Sequence, residues 1–142
     1  MTFDLVIGNT VLVLALMTAL WAVSVFLKDA SIVDPWWSIG FFLVTALTVA
    51  RTGLTPGKVL LLAMVGTWAL RLWLYLLARS RGKPEDPRYA GFRRKYGAER
   101  YWWVSFFQVF LLQGFLIVLI SAPLQLAAAA GHPDPISLTD LL

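Results

Sequence analysis

Cysteine is absent from this 142-residue chain, and histidine occurs once, as His132. Disulfides, thiolate nucleophiles and thiolate metal sites are thereby excluded, and one imidazole is too few for a conventional transition-metal site. Charge is scarce as well. Asp, Glu, Lys and Arg make up 14% of the residues against 59% hydrophobic ones, and the mean hydropathy is +0.74, far more apolar than a water-soluble domain. There is no glycine-rich phosphate loop, nucleophile elbow or Ser-His-Asp set, and no internal repeat or low-complexity linker. What is present describes an all-α integral membrane protein folded as one helical bundle. The net charge of +4 calls for no nucleic-acid partner, because the cations gather at one edge of the apolar stretches, as loop-retained Lys and Arg do.

Four apolar stretches can cross a hydrocarbon core about 30 Å thick. The first covers 5–27; Asp4 and no Lys or Arg precede it, unlike a cleaved signal peptide. Lys28-Asp29-Ala30-Ser31 ends it. Further spans are predicted over 35–52, 59–78 and 104–122. Asp34-Pro35 and Thr55-Pro56 each offer a capping side chain followed by proline, and Trp102-Trp103 introduces the fourth span. Pro123 kinks or ends that span, with Leu124 to Ala130 as an extension. Gly131-His132-Pro133-Asp134-Pro135 reads as a polar turn before a further element from Ile136 to Leu142.

Eight of the twelve Lys and Arg residues lie between Arg79 and Arg100. With 79–100 in the cytoplasm, the amino terminus is outside and nine cationic residues, Lys28 included, lie inside against Arg51 and Lys58 outside, the sense of the positive-inside rule. The segment has its own punctuation. Asp86-Pro87 is a third helix start and Gly97 a stop, so Pro87 to Tyr96 forms a short helix. On it Tyr89, Phe92 and Tyr96 share an arc of about 60°, with Arg93 beside them. Such an amphipathic helix lies in the membrane interface and contacts lipid. It serves either as a basic stop-transfer anchor or as part of a substrate or cofactor site.

Few residues can carry chemistry. Arg71 sits about 10 Å below the cytoplasmic boundary of its span, with Trp68 and Tyr75 on the same face. It either snorkels or pairs with Asp34, or it faces the bundle as a functional charge. Asp34 reads as a helix cap or as a carboxylate at a pocket mouth. With Asp86 spent as a cap, Glu85 and Tyr89 become the proton-handling candidates: a tyrosine hydroxyl hydrogen-bonded to a carboxylic acid polarises a ketone oxygen. A solvated charge and an interfacial tyrosine are the alternative. Gln113 and Ser121 either bond between helices or face the site. The candidate catalytic residues are therefore Glu85, Tyr89 and Arg71, the candidate substrate-binding residues Asp34, Trp37, Trp68 and Gln113.

Four pieces occur in order across residues 34–123: Asp34-Pro35-Trp36-Trp37, Trp68-Ala69-Leu70-Arg71-Leu72-Trp73, Gly82-Lys83-Pro84-Glu85-Asp86-Pro87-Arg88-Tyr89, and Phe110-Leu111-Leu112-Gln113-Gly114 with Ser121-Ala122-Pro123. The set resembles the membrane family grouped with steroid 5-alpha-reductases, in its bacterial, largely uncharacterised branch. The resemblance implies a helical bacterial inner-membrane reductase that uses NADPH to saturate a carbon-carbon double bond conjugated to a ketone, in a steroid, isoprenoid or similar lipid. The resemblance implies a longer chain whose carboxyl half supplies most nucleotide contacts, including an Arg-His-Pro-Asn-Tyr-like signature. Here Gly131 precedes His132-Pro133 and Asp134-Pro135 follows, so that signature does not map. The expectation is an amino-terminal half, weakly active alone, completed by a carboxyl-terminal half or a partner subunit. Membrane methyltransferases resemble the same family's carboxyl half and bind S-adenosylmethionine. A non-catalytic lipid-binding scaffold is the third reading.

The absence of cysteine makes sidedness directly measurable. Lys95→Cys should react with a membrane-impermeant maleimide only from the cytoplasmic side and Gly57→Cys only from the opposite side; the reverse pattern refutes the orientation.

Overall fold

The computed structural model describes residues 3–130; the polar turn at Gly131, His132 and the element from Ile136 lie outside the described residues. Every described element is helical: α1 (Phe3–Leu27), a 3-10 turn (Ala30–Ile32), α2 (Val33–Thr52), α3 (Pro56–Ser80), α4 (Pro87–Tyr96), α5 (Ala98–Ser105), a π-helical stretch (Phe106–Leu111), α6 (Leu112–Ile120) and α7 (Ala122–Ala129). From α5 to α6 the chain forms one span, Ala98–Ile120, and four helices are long and apolar enough to cross a membrane.

Several starts follow the expected chemistry. Thr55 caps α3 ahead of Pro56, Asp86 caps α4 ahead of Pro87, and Gly97 at φ 83 ends α4, a conformation that glycine adopts freely. Two boundaries differ. Asp34 is not a cap: α2 begins at Val33 behind Ile32, which makes no side-chain cap bond. The capping carboxylate is Asp29, which accepts from the Ser31 amide of the preceding 3-10 turn. The fourth span begins at Ala98 rather than 104, because Glu99 and Arg100 occupy a polar first turn at the interface without interrupting the helix. It ends at Ile120, and Ser121 and Pro123 start α7.

The second helix is the hub. Half of its apolar window is buried, against 11% for α3, so α3 leans on α2 and turns most of its surface outward. Val13 and Met17 of α1, Phe41 and Val44 of α2, and Phe110 and Ile117 of the fourth span build the core. Where hydrocarbon surrounds the bundle, small residues let helices approach closely. A Cβ on Gly40 would come 2.8 Å from Ile117 Cδ1, and one on Gly114 3.1 Å from Met17 Cγ.

The π turn resets a face. Buried positions Tyr101, Ser105 and Val109 step by four, and Phe110, Gly114, Ile117 and Ser121 then resume one residue later. One extra residue is absorbed inside the helix, which brings Gln113 to bear on α4. At the other end of the bundle, Asn9 Nδ2 donates to Thr48 Oγ1 at 2.8 Å and to Gln125 Oε1 at 2.9 Å, tying α1, α2 and α7 through buried amides.

Candidate functional site

The short helix α4 folds back on the end of the bundle where α1 passes into α2. Its axis brings one apolar face, Tyr89 and Phe92, onto the core, so its polar groups must find partners as they leave water. Two carboxylates provide them. Glu85 Oε1 accepts the Ala30 backbone amide at 2.9 Å. Both Glu85 oxygens receive Arg93, Nη2 at 2.9 Å and Nε at 3.0 Å, the fork geometry that favours arginine. Arg93 Nη2 also donates to the Lys28 carbonyl at 3.0 Å, and its guanidinium stacks 4.5 Å over the Tyr101 ring. One ion pair thus joins α4 to α1, to the 3-10 turn and to α5.

The second carboxylate is Asp34. Tyr89 Oη donates to Asp34 Oδ1 at 2.6 Å and accepts from Gln113 Nε2 at 3.2 Å. The other Asp34 oxygen takes Arg88 Nη2 at 2.9 Å, while Arg88 Nε bonds Asp86. Three distant stretches therefore converge on one phenol: the start of α2, α4, and the fourth span just past its π turn. Tyr89 is 5% exposed. Asp34 also lines a cleft of about 400 Å³ together with Leu76, Arg79, Lys83, Glu85 and Arg88, so this carboxylate joins the buried phenol to an opening at the interface.

Environment separates the two acids of the expected catalytic set. Burial pushes the Tyr89 phenol up, and its bond to Asp34 pushes the same way, well above the ordinary tyrosine value; at neutral pH it is a hydrogen-bond donor. Burial also acts to raise Glu85, but the bonds from Arg93 and the Ala30 amide outweigh it and hold the carboxyl below its ordinary value. Glu85 is consequently an ionised structural anchor in this geometry, and it offers no proton.

The remaining sequence-derived residues separate into two places. Trp37 packs edge-to-face on Phe41 at 4.9 Å, and Phe41 on Trp68 at 5.8 Å, an aromatic series between α2 and α3. Arg71 is exposed on the outward side of α3 beside Trp68, Leu72 and Tyr75. It makes no ion pair among the described residues and does not reach Asp34, Glu85 or Tyr89. Sequence reasoning passed over Arg88 and Arg93 as site residues, treating them as part of a basic stretch, and over Tyr101. The available signal was the i, i+4 spacing of Glu85, Tyr89 and Arg93, which puts all three on one side of the helical start.

A nicotinamide dinucleotide does not fit what these residues build. Arg88 is committed to Asp34 and Asp86, leaving Arg79 and Lys83 in the cleft as cations for a phosphate. The cleft volume is that of a small ligand, and no glycine-rich turn opens a helix beside it among the described residues.

The DUF1295 family, described as proteins of unknown function, matches residues 20–142. No curated protein and no solved structure matches this chain.

A pH consequence follows from Glu85. Its folded-state value lies below 4.5, so its contribution to docking is complete above the unfolded value and disappears as pH falls through the folded one. Spin labels at Leu27→Cys and Arg94→Cys should give a narrow distance distribution at neutral pH that broadens once acidification protonates Glu85, and Arg93→Gln should broaden it at neutral pH. A distribution unchanged by both contradicts the anchor.

Proposed function

We propose, for a chain that belongs to the DUF1295 family, that it forms the carbonyl-binding part of a membrane reductase whose substrate is a lipid-like ketone conjugated to a carbon-carbon double bond. The observation that carries the reading is the buried phenol of Tyr89 held between Asp34 and Gln113. Such a phenol stays protonated and is fixed in place before substrate arrives. When hydride adds to the beta carbon of an enone, the electron pair of the double bond moves toward the ketone and negative charge grows on its oxygen. Donors that the fold holds beside that oxygen stabilise the charge with no more than the rotation of one hydroxyl. Tyr89 supplies one by turning its O–H from Asp34 to the ketone, and the Gln113 amide carries a second N–H. The alpha carbon then takes a proton from water as the enolate electron pair returns to it, so the product gains one hydride and one proton overall.

Asp34 works through Tyr89. Its carboxylate, steadied by Arg88, sets the orientation of the phenol and accepts the hydroxyl again when product leaves. Trp37, Phe41 and Trp68 make an apolar wall leading outward from the core to the surface of α3, suited to a steroid or isoprenoid framework. The resemblance to steroid 5-alpha-reductases implies NADPH as hydride donor; it would have to be held by groups other than the described residues, which do not build its site. The excess of Lys and Arg at this end of the bundle favours a cytoplasmic position by the positive-inside rule, on the side where that reductant is found.

Binding tests the reading without turnover. The protein in nanodiscs is titrated with a steroid enone and with the same steroid lacking the ketone oxygen, followed by tryptophan fluorescence. Tyr89→Phe should weaken the ketone about tenfold, the loss of one buried hydrogen bond, and leave the deoxygenated analogue unchanged. Equal ketone affinity in both proteins contradicts the assignment.

A further inference from the structure

A second cavity lies on the far side of the Glu85–Arg93 pair, between the end of α1 and the start of the fourth span. It holds about 510 Å³ and is lined by Ser24, Val25, Lys28, Arg93, Glu99 and Tyr101, among others. The carbonyl-binding reading uses none of it. Its hydrogen-bonding groups are unbalanced toward donors. Tyr101, 1% exposed, has a hydroxyl with no partner, a state that buried polar groups rarely keep. Arg93 spends Nε and Nη2 on Glu85 and Lys28, and Nη1 has no bond among the described residues. Lys28 makes no ion pair there either.

Lys28 also sits where its side chain is costly. Its φ is +55, at the end of α1, where the Asp29 amide closes the turn on the Ser24 carbonyl at 3.0 Å. Glycine is the usual occupant of such a helix-ending position, because it alone enters left-handed backbone without a Cβ penalty. A lysine at this point keeps a cation on the cavity rim against the local conformational preference, and strain of this kind concentrates where a side chain is used.

We propose that this cavity binds the phosphate of a membrane lipid headgroup. Lys28 supplies the positive charge, and the free Nη1 edge of Arg93 and the Tyr101 hydroxyl supply hydrogen-bond donors. Glu85 and Arg93 form a pair without net charge, which leaves Lys28 as the cation that faces the phosphate. Glu99 is the carboxylate on the wall without a cation among the described residues, and it lies opposite in role, as an acceptor for the glycerol hydroxyls or ammonium that a headgroup carries beyond its phosphate. The tail is accounted for by the rim. Val25 and Trp102 line the cavity and are themselves exposed, and Phe26 and Leu27 stand beside them with 87% and 56% of their surface free. An anion with an apolar tail matches that layout better than a free one, and cations at a membrane edge favour anionic lipid.

Native mass spectrometry of the detergent-solubilised chain tests this with three probes: phosphatidylglycerol, diacylglycerol and inorganic phosphate. Phosphatidylglycerol should form a one-to-one adduct that diacylglycerol does not, with inorganic phosphate at least about tenfold weaker. Lys28→Gly should weaken the adduct about tenfold while raising the thermal midpoint, because it removes a charge partner and relieves the backbone. Tyr101→Phe keeps the ring under Arg93 and should weaken the adduct by about fivefold. Diacylglycerol binding equal to phosphatidylglycerol, or adducts unaffected by both substitutions, overturns the proposal. Inorganic phosphate binding as tightly as the lipid overturns the lipid assignment.

Discussion

A polar helix can rest on the end of a membrane bundle only if each charge and hydroxyl it brings there finds a partner, and that constraint organises this protein. α4 carries more cations than any other element, yet its inner side is buried against the core. Glu85 and Asp34 make this affordable in physical terms: each accepts several hydrogen bonds at once, Glu85 from Arg93 and a backbone amide, Asp34 from Arg88 and Tyr89. The bonds from Ala30 to Glu85 and from Arg88 and Tyr89 to Asp34 cross between elements far apart in sequence. The 3-10 turn, the start of α2 and the start of the fourth span are thereby fixed together at one end, and the two cavities lie on either side of the Glu85–Arg93 pair.

The transmembrane part supports this from below. α2 occupies the centre, and Gly40 and Gly114 bring the fourth span close to α2 and α1. The π turn then matters for position more than for stability. Without its extra residue the buried stripe of the fourth span would continue from Val109 in the original phase, and Gln113 would point about 100° away from Tyr89. At the other end the Asn9 and Gln125 amides and the Thr48 hydroxyl hold the helices together, as polar groups do where the hydrophobic effect between helices is weak.

Much of this was legible in the chain. Hydropathy located four spans, cap-and-proline pairs located the starts of α3 and α4, and glycine located the end of α4, because these are local rules that the membrane does not alter. The misreadings share a cause. Asp34-Pro35 carries the same local signature as the other two starts, but here the carboxylate is claimed by Arg88 and Tyr89, a tertiary contact that sequence spacing cannot display. The fourth span was placed late because Glu99 and Arg100 read as loop, although a first helical turn at the interface tolerates charge. Within the site, Tyr89 and Gln113 could be named from the sequence, but their meeting at one hydroxyl depends on the π turn, which has no sequence signature. For Arg71 the sequence leaves snorkelling, pairing with Asp34 and a bundle-facing charge open; α3 presents it outward and away from Asp34.

The claim that α4 is docked through paired polar groups is tested most directly by a double-mutant cycle between Asp34 and Tyr89. Unfolding free energies are compared for the parent chain, Asp34→Asn, Tyr89→Phe and the double variant, all in the same lipid. The account predicts a coupling energy of at least about 1 kcal/mol, as expected for a short hydrogen bond to a carboxylate in a partly buried site. Additive effects, with coupling indistinguishable from zero, would contradict it.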